Sequence, residues 1–260
     1  MDVVICSDAD EVGRLAAAEV AQVVRKAGPR AVVGLATGSS PLTLYQALAE
    51  MVEAGELDLS QVRAFALDEY VELPAGHPEA YEEVLARTVT EPLRMNPELV
   101  HSPDRFADDL HEAADEYERM IAEAGGVDVQ ILGVGTNGHI GFNEPTSSFR
   151  SRTRPVVLAA GTRADNARFF DSLDDVPRHA LTQGLGTIMD SRATVLVAHG
   201  EAKAAAIAGV IEGPITSMCP GSVLQFHPDI TVIVDEAAAS KLARIDVYRD
   251  EWEHRVARRD

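Results

Sequence analysis

Residues 31–41 read Ala-Val-Val-Gly-Leu-Ala-Thr-Gly-Ser-Ser-Pro and carry the main signal for the fold. The apolar run over 31–36 predicts a strand buried on both faces. Ser40 is a good N-cap and Pro41 suits the first position of a helix, whose apolar residues then recur at helical spacing. The segment therefore predicts a strand, a short loop and a helix, which is the building unit of an α/β protein.

The same alternation continues on both sides of this unit. Apolar runs predict further strands at 3–6, 62–67, 127–134, 156–159, 194–198 and 230–234. Longer periodic segments predict helices at 8–26, 80–88, 106–123, 178–189 and 202–212. We expect one α/β domain over residues 1–260, with a mostly parallel sheet flanked by helices on both faces in a Rossmann-like three-layer sandwich.

Composition and charge exclude several classes of function. The 260 residues carry a formal net charge of -19, which opposes binding to nucleic acid or to anionic membranes. Two distant cysteines, Cys6 and Cys219, form neither a disulfide framework nor a metal motif. The first residues resemble no signal peptide, and no run of 18 apolar residues occurs, so a cytoplasmic protein is expected.

Polar residues follow the predicted strands, where open α/β sheets bind ligands. The loop of Thr37, Gly38, Ser39 and Ser40 combines hydroxyl groups with a helix start, which favours a single phosphate. It is neither a Walker A loop nor a dinucleotide fingerprint. A capped turn without a ligand would explain the same residues equally well.

A pair of acids, Asp68 and Glu69, ends the third predicted strand. Neighbouring strand residues point to opposite faces, so only one of the two carboxylates can enter a given pocket. That one is a candidate base, and the other is solvated or structural. A helix cap or a surface pair is the simpler alternative.

The loop over 133–145 has four glycines in nine residues, followed by Phe-Asn-Glu-Pro. Tight turns justify such a density of glycine. His139 can accept and return a proton near neutral pH, and Glu144 can orient it. A metal is not indicated, because no second histidine or cysteine lies at the spacing of metal ligands. A structural turn with a hydrogen-bonded histidine is the alternative.

Taken together, these segments resemble the glucosamine-6-phosphate deaminase family. The resemblance is carried by the segments 35–41, 67–70 and 135–145 in this order, and by 166–170 and 200–203 after them. It implies aldose–ketose isomerisation with release of ammonia, and needs neither a metal nor an organic cofactor. It implies that Asp68 moves protons between carbons and that His139 opens the sugar ring with support from Glu144. It also implies that the phosphate group is bound by Thr37, Gly38, Ser39, Ser40, Arg168 and Lys203.

Two departures from the family pattern change these expectations. Asn137 stands where some members carry aspartate, so we expect an orienting role for it and a less elevated pKa for His139. Some bacterial members are hexamers activated by N-acetylglucosamine 6-phosphate. Ser147, Arg154 and Tyr248 match that allosteric site in part, but Val156 replaces an expected lysine. We expect weak or absent activation, with a homo-oligomer possible.

Three other functions compete with this one. A galactosamine-6-phosphate deaminase would use the same motifs. A 6-phosphogluconolactonase would lack the Asn-Glu-Pro ending at 143–145. A sugar-phosphate sensor domain without activity would have no use for both Asp68 and His139.

Overall fold

A computed structural model describes residues 1–255 of the chain. The strands are β1 (Asp2–Cys6), β2 (Val32–Leu35), β3 (Arg63–Ala66), β4 (Asp68–Tyr70), β5 (Val100–His101), β6 (Val129–Leu132), β7 (Arg154–Val157), β8 (His179–Thr182), β9 (Ala193–Ala198) and β10 (Ile230–Asp235). The helices are α1 (Ala9–Ala27), α2 (Leu42–Glu53), α3 (Tyr81–Leu85), α4 (Leu110–Glu123), α5 (Ala160–Asn166), α6 (Leu185–Met189), α7 (Ala204–Ile211), α8 (Glu236–Ala239) and α9 (Ile245–Glu253).

The larger sheet is parallel throughout and has the strand order β1-β10-β9-β6-β2-β3-β5. Its central strands are buried along their whole length, which explains their continuous Val, Ile and Leu runs. This arrangement confirms the predicted α/β class and the mostly parallel sheet.

A smaller antiparallel sheet with the order β4-β8-β7 was not predicted. Residues 178–189 were expected to be a helix, and that prediction is wrong. Residues 179–182 form β8, which pairs with β4 on one side and β7 on the other, and only 185–189 are helical. Ala180 and Leu181 are fully buried, and a short apolar run of this kind does not distinguish strand from helix. The strand predicted at 156–159 begins two residues earlier.

The two best-defined helix starts differ in how they are capped. Asp8 caps α1 and accepts the backbone N–H of Glu11, as its acidic start suggested. At α2, however, Pro41 takes the N-cap position and no side chain caps the helix, so the predicted cap at Ser40 is wrong. Among residues 1–255, every helix is too short or too polar to traverse a bilayer.

Parallel strands aligned in this way bring the loops after β9, β6, β2 and β3 to one edge of the larger sheet. The β2–α2 loop, the start of β4, the glycine-rich loop after β6 and the turn after β9 therefore meet. The helix α5 lies over the same edge and was not predicted from the sequence.

Candidate active site

A cavity of about 400 Å³ lies at this edge of the larger sheet. Eight of the residues predicted for the site line it, from five separate segments of the chain: Thr37, Gly38, Ser39, Ser40, Asp68, His139, Arg168 and Lys203. Asn137 and Glu144 adjoin His139: Asn137 accepts its backbone N–H, and the Glu144 carboxylate lies 3.7 Å from its Nδ1 atom. The structure thus brings together the residues that the sequence scattered over more than 160 positions.

Asp68 is buried at the junction of the two sheets. The N–H of Leu67 donates to Leu35 in the larger sheet at 2.8 Å, and the next residue, Asp68, pairs with Thr182 in the smaller one. Its side chain lines the cavity although the residue is only 5% exposed. Burial, reinforced by the charge of Glu69, raises the pKa of Asp68 to about 8. A carboxyl group in this state can both accept and return a proton near neutral pH.

Glu69 points away from the cavity and caps α3. Its carboxylate accepts the backbone N–H groups of Tyr70 at 2.7 Å, Tyr81 at 2.8 Å and Glu82 at 2.7 Å. The two adjacent acids therefore serve opposite faces of β4, as the alternation of a strand requires. Glu69 is the structural member of the pair.

The imidazole of His139 lies close to Gly135. A Cβ atom on Gly135 would lie 2.2 Å from the imidazole, so a glycine is required there. The Nδ1 atom is 3.7 Å from the Glu144 carboxylate. Burial lowers the pKa of His139, and Lys203 lowers it further, while Glu144 and Asp165 oppose the shift. We expected the pKa of His139 to be less elevated beside Asn137. It is in fact lowered, because desolvation outweighs the charges of the nearby carboxylates.

Glu144 is held by two neighbours besides the imidazole. Asn137 donates its amide N–H to one carboxylate oxygen at 2.8 Å, and the Thr162 hydroxyl of α5 donates to the other. The side-chain oxygen of Asn137 accepts the backbone N–H of His139 at 3.1 Å. The amide orients both the carboxylate and the histidine loop, without being able to transfer a proton itself.

Lys203 and Arg168 make part of the cavity cationic. Lys203 Nζ donates to the carbonyl of Val134 at 2.8 Å, which leaves its other donors for a ligand. Burial lowers the pKa of Lys203, and the charge of Arg168 adds to this effect. The guanidinium of Arg168 lies 4.7 Å from the ring centre of Phe169. Two cations thus line the same cavity as Thr37 and Ser40 within an acidic protein.

The residues matched to an allosteric site fall into two groups. The Arg154 guanidinium donates to Asn143 at 2.9 Å and to the Ser147 hydroxyl at 3.3 Å. The Tyr248 hydroxyl on α9 instead donates to Glu212 at 3.1 Å. Arg154 thus has protein acceptors of its own, and Val156 packs in the apolar cluster under the smaller sheet.

Several cavity residues escaped the sequence analysis. Thr162, Asp165 and Asn166 come from α5, and no pattern indicated that helix. Tyr81 and His199 also line the cavity. His199 directly follows a predicted strand, so its position alone could have identified it. Within residues 1–255, no three His, Cys, Asp or Glu side chains are grouped as metal ligands would be.

Known proteins resemble this chain over nearly its whole length. A sequence profile of the family described as glucosamine-6-phosphate isomerases/6-phosphogluconolactonase matches residues 7–232. A glucosamine-6-phosphate deaminase of Cutibacterium acnes is 56% identical over 96% of this chain and 95% of its own length. One from Pseudarthrobacter chlorophenolicus is 55% identical over 98% of each chain.

Solved structures agree with the sequence relatives. A monomeric glucosamine-6-phosphate deaminase superposes with a TM-score of 0.90 at 38% identity, over 93% of this chain and all of the other. A 6-phosphogluconolactonase from Trypanosoma cruzi shares the fold, with a TM-score of 0.74 at 20% identity over 93% and 97% of the two chains. The chain therefore belongs to the family of glucosamine-6-phosphate isomerases and 6-phosphogluconolactonases.

Proposed function

We propose that this chain is a glucosamine-6-phosphate deaminase, which converts D-glucosamine 6-phosphate and water to D-fructose 6-phosphate and ammonia. The observation that carries the proposal is the buried carboxyl group of Asp68 in the same cavity as Lys203 and Arg168. An acid–base group at one end and an anion site at the other suit a sugar phosphate that undergoes proton transfer. The names of the similar proteins agree with this reaction.

Ring opening is the first step that the substrate needs, because a cyclic aldose has no carbonyl group to activate. His139 is neutral at pH 7, since its pKa is lowered. In the proposal it accepts the proton of the anomeric hydroxyl while the bond between C1 and the ring oxygen breaks. The proton then goes to that oxygen, and Glu144 stabilises the transient imidazolium.

Isomerisation follows on the open chain. The ionised form of Asp68 removes the proton from C2, beside the aldehyde, while a proton passes from the substrate's ammonium group to the aldehyde oxygen, which gives an enolamine. The same carboxyl group returns a proton to C1, which yields a ketimine at C2 that water hydrolyses to the ketone and ammonia. The ammonium group of the bound substrate favours the carboxylate over the acid, which offsets part of the raised pKa of Asp68.

The phosphate anchors the substrate at the cationic end in this proposal. Lys203 and Arg168 provide charge, and the loop of Thr37, Gly38, Ser39 and Ser40 provides hydroxyl and backbone donors. Binding energy at the phosphate orients C1 and C2 against Asp68 without contributing chemistry of its own. A phosphorylated substrate does not diffuse through a bilayer, so the proposed activity is cytoplasmic.

Ammonia release from purified protein tests the proposal. The two amino sugars, glucosamine 6-phosphate and galactosamine 6-phosphate, are assayed for ammonia, and 6-phosphogluconolactone is assayed for the acid that its hydrolysis yields, each with and without a chelator. We expect ammonia from the glucosamine sugar and no effect of the chelator. Turnover of galactosamine 6-phosphate alone would change the substrate, and hydrolysis of the lactone alone would refute the deaminase. Binding without any turnover would point to a sensor domain.

A further inference from the structure

His199 lines the cavity and has been given no role above. It follows β9 directly and shares the cavity wall with Lys203 and the loop after β2. Its Nε2 atom is shielded from solvent and has no hydrogen-bond partner among residues 1–255. A buried polar nitrogen left in this way costs about 1–3 kcal/mol, and since protein encloses Nε2, a ligand in the cavity would contact the ring at another position, which rotation of the ring can occupy with a nitrogen.

The backbone beside His199 is fixed in place. Gly200 adopts a φ of 86°, which side chains other than glycine rarely allow. Its N–H donates to both carboxylate oxygens of Asp235 at 3.0 Å, and Asp235 also caps α8 through the N–H of Ala238 at 2.7 Å. The N–H of Lys203 donates back to the carbonyl of Gly200 at 3.1 Å. One rigid turn therefore presents both His199 and Lys203 to the cavity.

The strand order separates His199 from the reacting carbons. The strands β6 and β2 lie between β9 and β3, after which Asp68 comes. Three spacings of roughly 4.8 Å place the ends of β9 and β3 about 14 Å apart. His199 therefore lies on the side of the cavity where Lys203 follows the same strand, away from the carbons that Asp68 would deprotonate. Its contact with a ligand belongs to the anchoring end, beside Lys203.

We propose that His199 is a further phosphate-binding residue, whose imidazole donates an N–H to a phosphate oxygen next to Lys203 and Arg168. The identity of the sugar rests on the proposed function, but the phosphate contact does not. Rotation of the ring by 180° exchanges its nitrogen and carbon positions, so either ring nitrogen can serve as the donor. No proton is transferred in this contact. The imidazole adds a directed donor to the two cations.

Two substitutions separate hydrogen bonding from packing. His199→Phe keeps a ring of similar shape without a donor, and His199→Gln keeps an N–H group. His111→Gln, on the exposed surface of α4, is the matched control. Calorimetry with inorganic phosphate and with fructose 6-phosphate gives affinities, and steady-state kinetics with glucosamine 6-phosphate gives kcat and KM.

We expect His199→Phe to weaken phosphate binding at least about tenfold and to raise KM similarly, with kcat within about twofold of the parent. His199→Gln should retain part of the affinity, and His111→Gln should match the parent. Phosphate affinity unchanged in His199→Phe would overturn the proposal. A loss confined to kcat would also overturn it, because it would assign His199 to the chemistry.

A second measurement on the unaltered protein covers the case in which the phenylalanine variant does not fold. The imidazole resonances of His199, assigned by their absence in His199→Gln, should shift saturably as inorganic phosphate is added. Resonances that do not move would refute the contact. A protein that binds phosphate through His199 but releases no ammonia from any amino-sugar phosphate would leave this inference intact and disprove the proposed reaction.

Discussion

Replacing Asp68 by asparagine should abolish turnover and at the same time stabilise the fold. The carboxyl group lies in a site that opposes its ionisation, and its pKa is raised to about 8. Asparagine has almost the same shape and carries no charge. The substitution therefore removes the acid–base group and also removes the cost of keeping a carboxylate buried.

The sign and size of the stability change follow from proton binding. Between an unfolded pKa of about 3.9 and the folded pKa of about 8, the folded state holds a proton on Asp68 that the unfolded chain has lost. The free energy of unfolding of the parent therefore falls as the pH rises through this window. From pH 5 to pH 8 the free energy of unfolding of the parent falls by about 3.5 kcal/mol from this cause, whereas that of Asp68→Asn does not.

Urea unfolding of both proteins at pH 5 and pH 8 measures this difference. The difference in the free energy of unfolding between Asp68→Asn and the parent should be about 3.5 kcal/mol larger at pH 8 than at pH 5. Asp10→Asn, on the exposed start of α1, should show no such growth. An advantage that is the same at both pH values would refute the reasoning, because the carboxyl group would then ionise as readily in the folded protein as in the unfolded chain.

Four further outcomes are expected. His139→Gln should slow ring opening and spare a substrate supplied in open form; equal loss of both activities would contradict that role. Arg168→Ala should raise KM at least about tenfold with little change in kcat, and an unchanged KM would remove it from the site. Glu69→Gln should lower the free energy of unfolding by about 1–2 kcal/mol, because its amide would face an N–H donor at the start of α3, and kcat should stay near that of the parent. N-acetylglucosamine 6-phosphate should activate the enzyme weakly or not at all; sigmoidal kinetics that the effector makes hyperbolic would show the opposite.

The sequence was most informative where one physical signal dominates. Strands buried on both faces have continuous apolar runs, and those of β1, β2, β3, β6, β9 and β10 were located to within a few residues. Helix α1 was equally clear, because its cap, its periodicity and its charge distribution agree. These elements place the loops of the candidate site.

The smaller sheet was missed because its strands lack such a signal. Residues 68–70 are two acids and a tyrosine, and they become a strand only by pairing with β8. Residues 154–157 lie at the edge of that sheet, and the strand predicted at 156–159 covers only their second half. Tertiary pairing, which local sequence does not encode, decides their conformation.

The lining of the cavity was predicted better than the elements around it. Every residue expected at the phosphate end lines the cavity, and the pair Asp68 and Glu69 divides between cavity and helix cap as strand geometry requires. The lowered pKa of His139 was not foreseen, because it depends on burial that no spacing reveals. Thr162 and Asp165 were missed for the same reason as α5 itself.

The division of the cavity between two sheets has a consequence for how such chains diverge. The loops after β2, β6 and β9 belong to the parallel sheet, whereas Asp68 starts β4 of the antiparallel one and Arg168 lies on the connection between β7 and β8. Each sheet therefore supplies one of the two cations and one of the two groups proposed for proton transfer. A shift of one sheet against the other would change both functions of the cavity at once, so the packing between the sheets has to be preserved as such chains diverge.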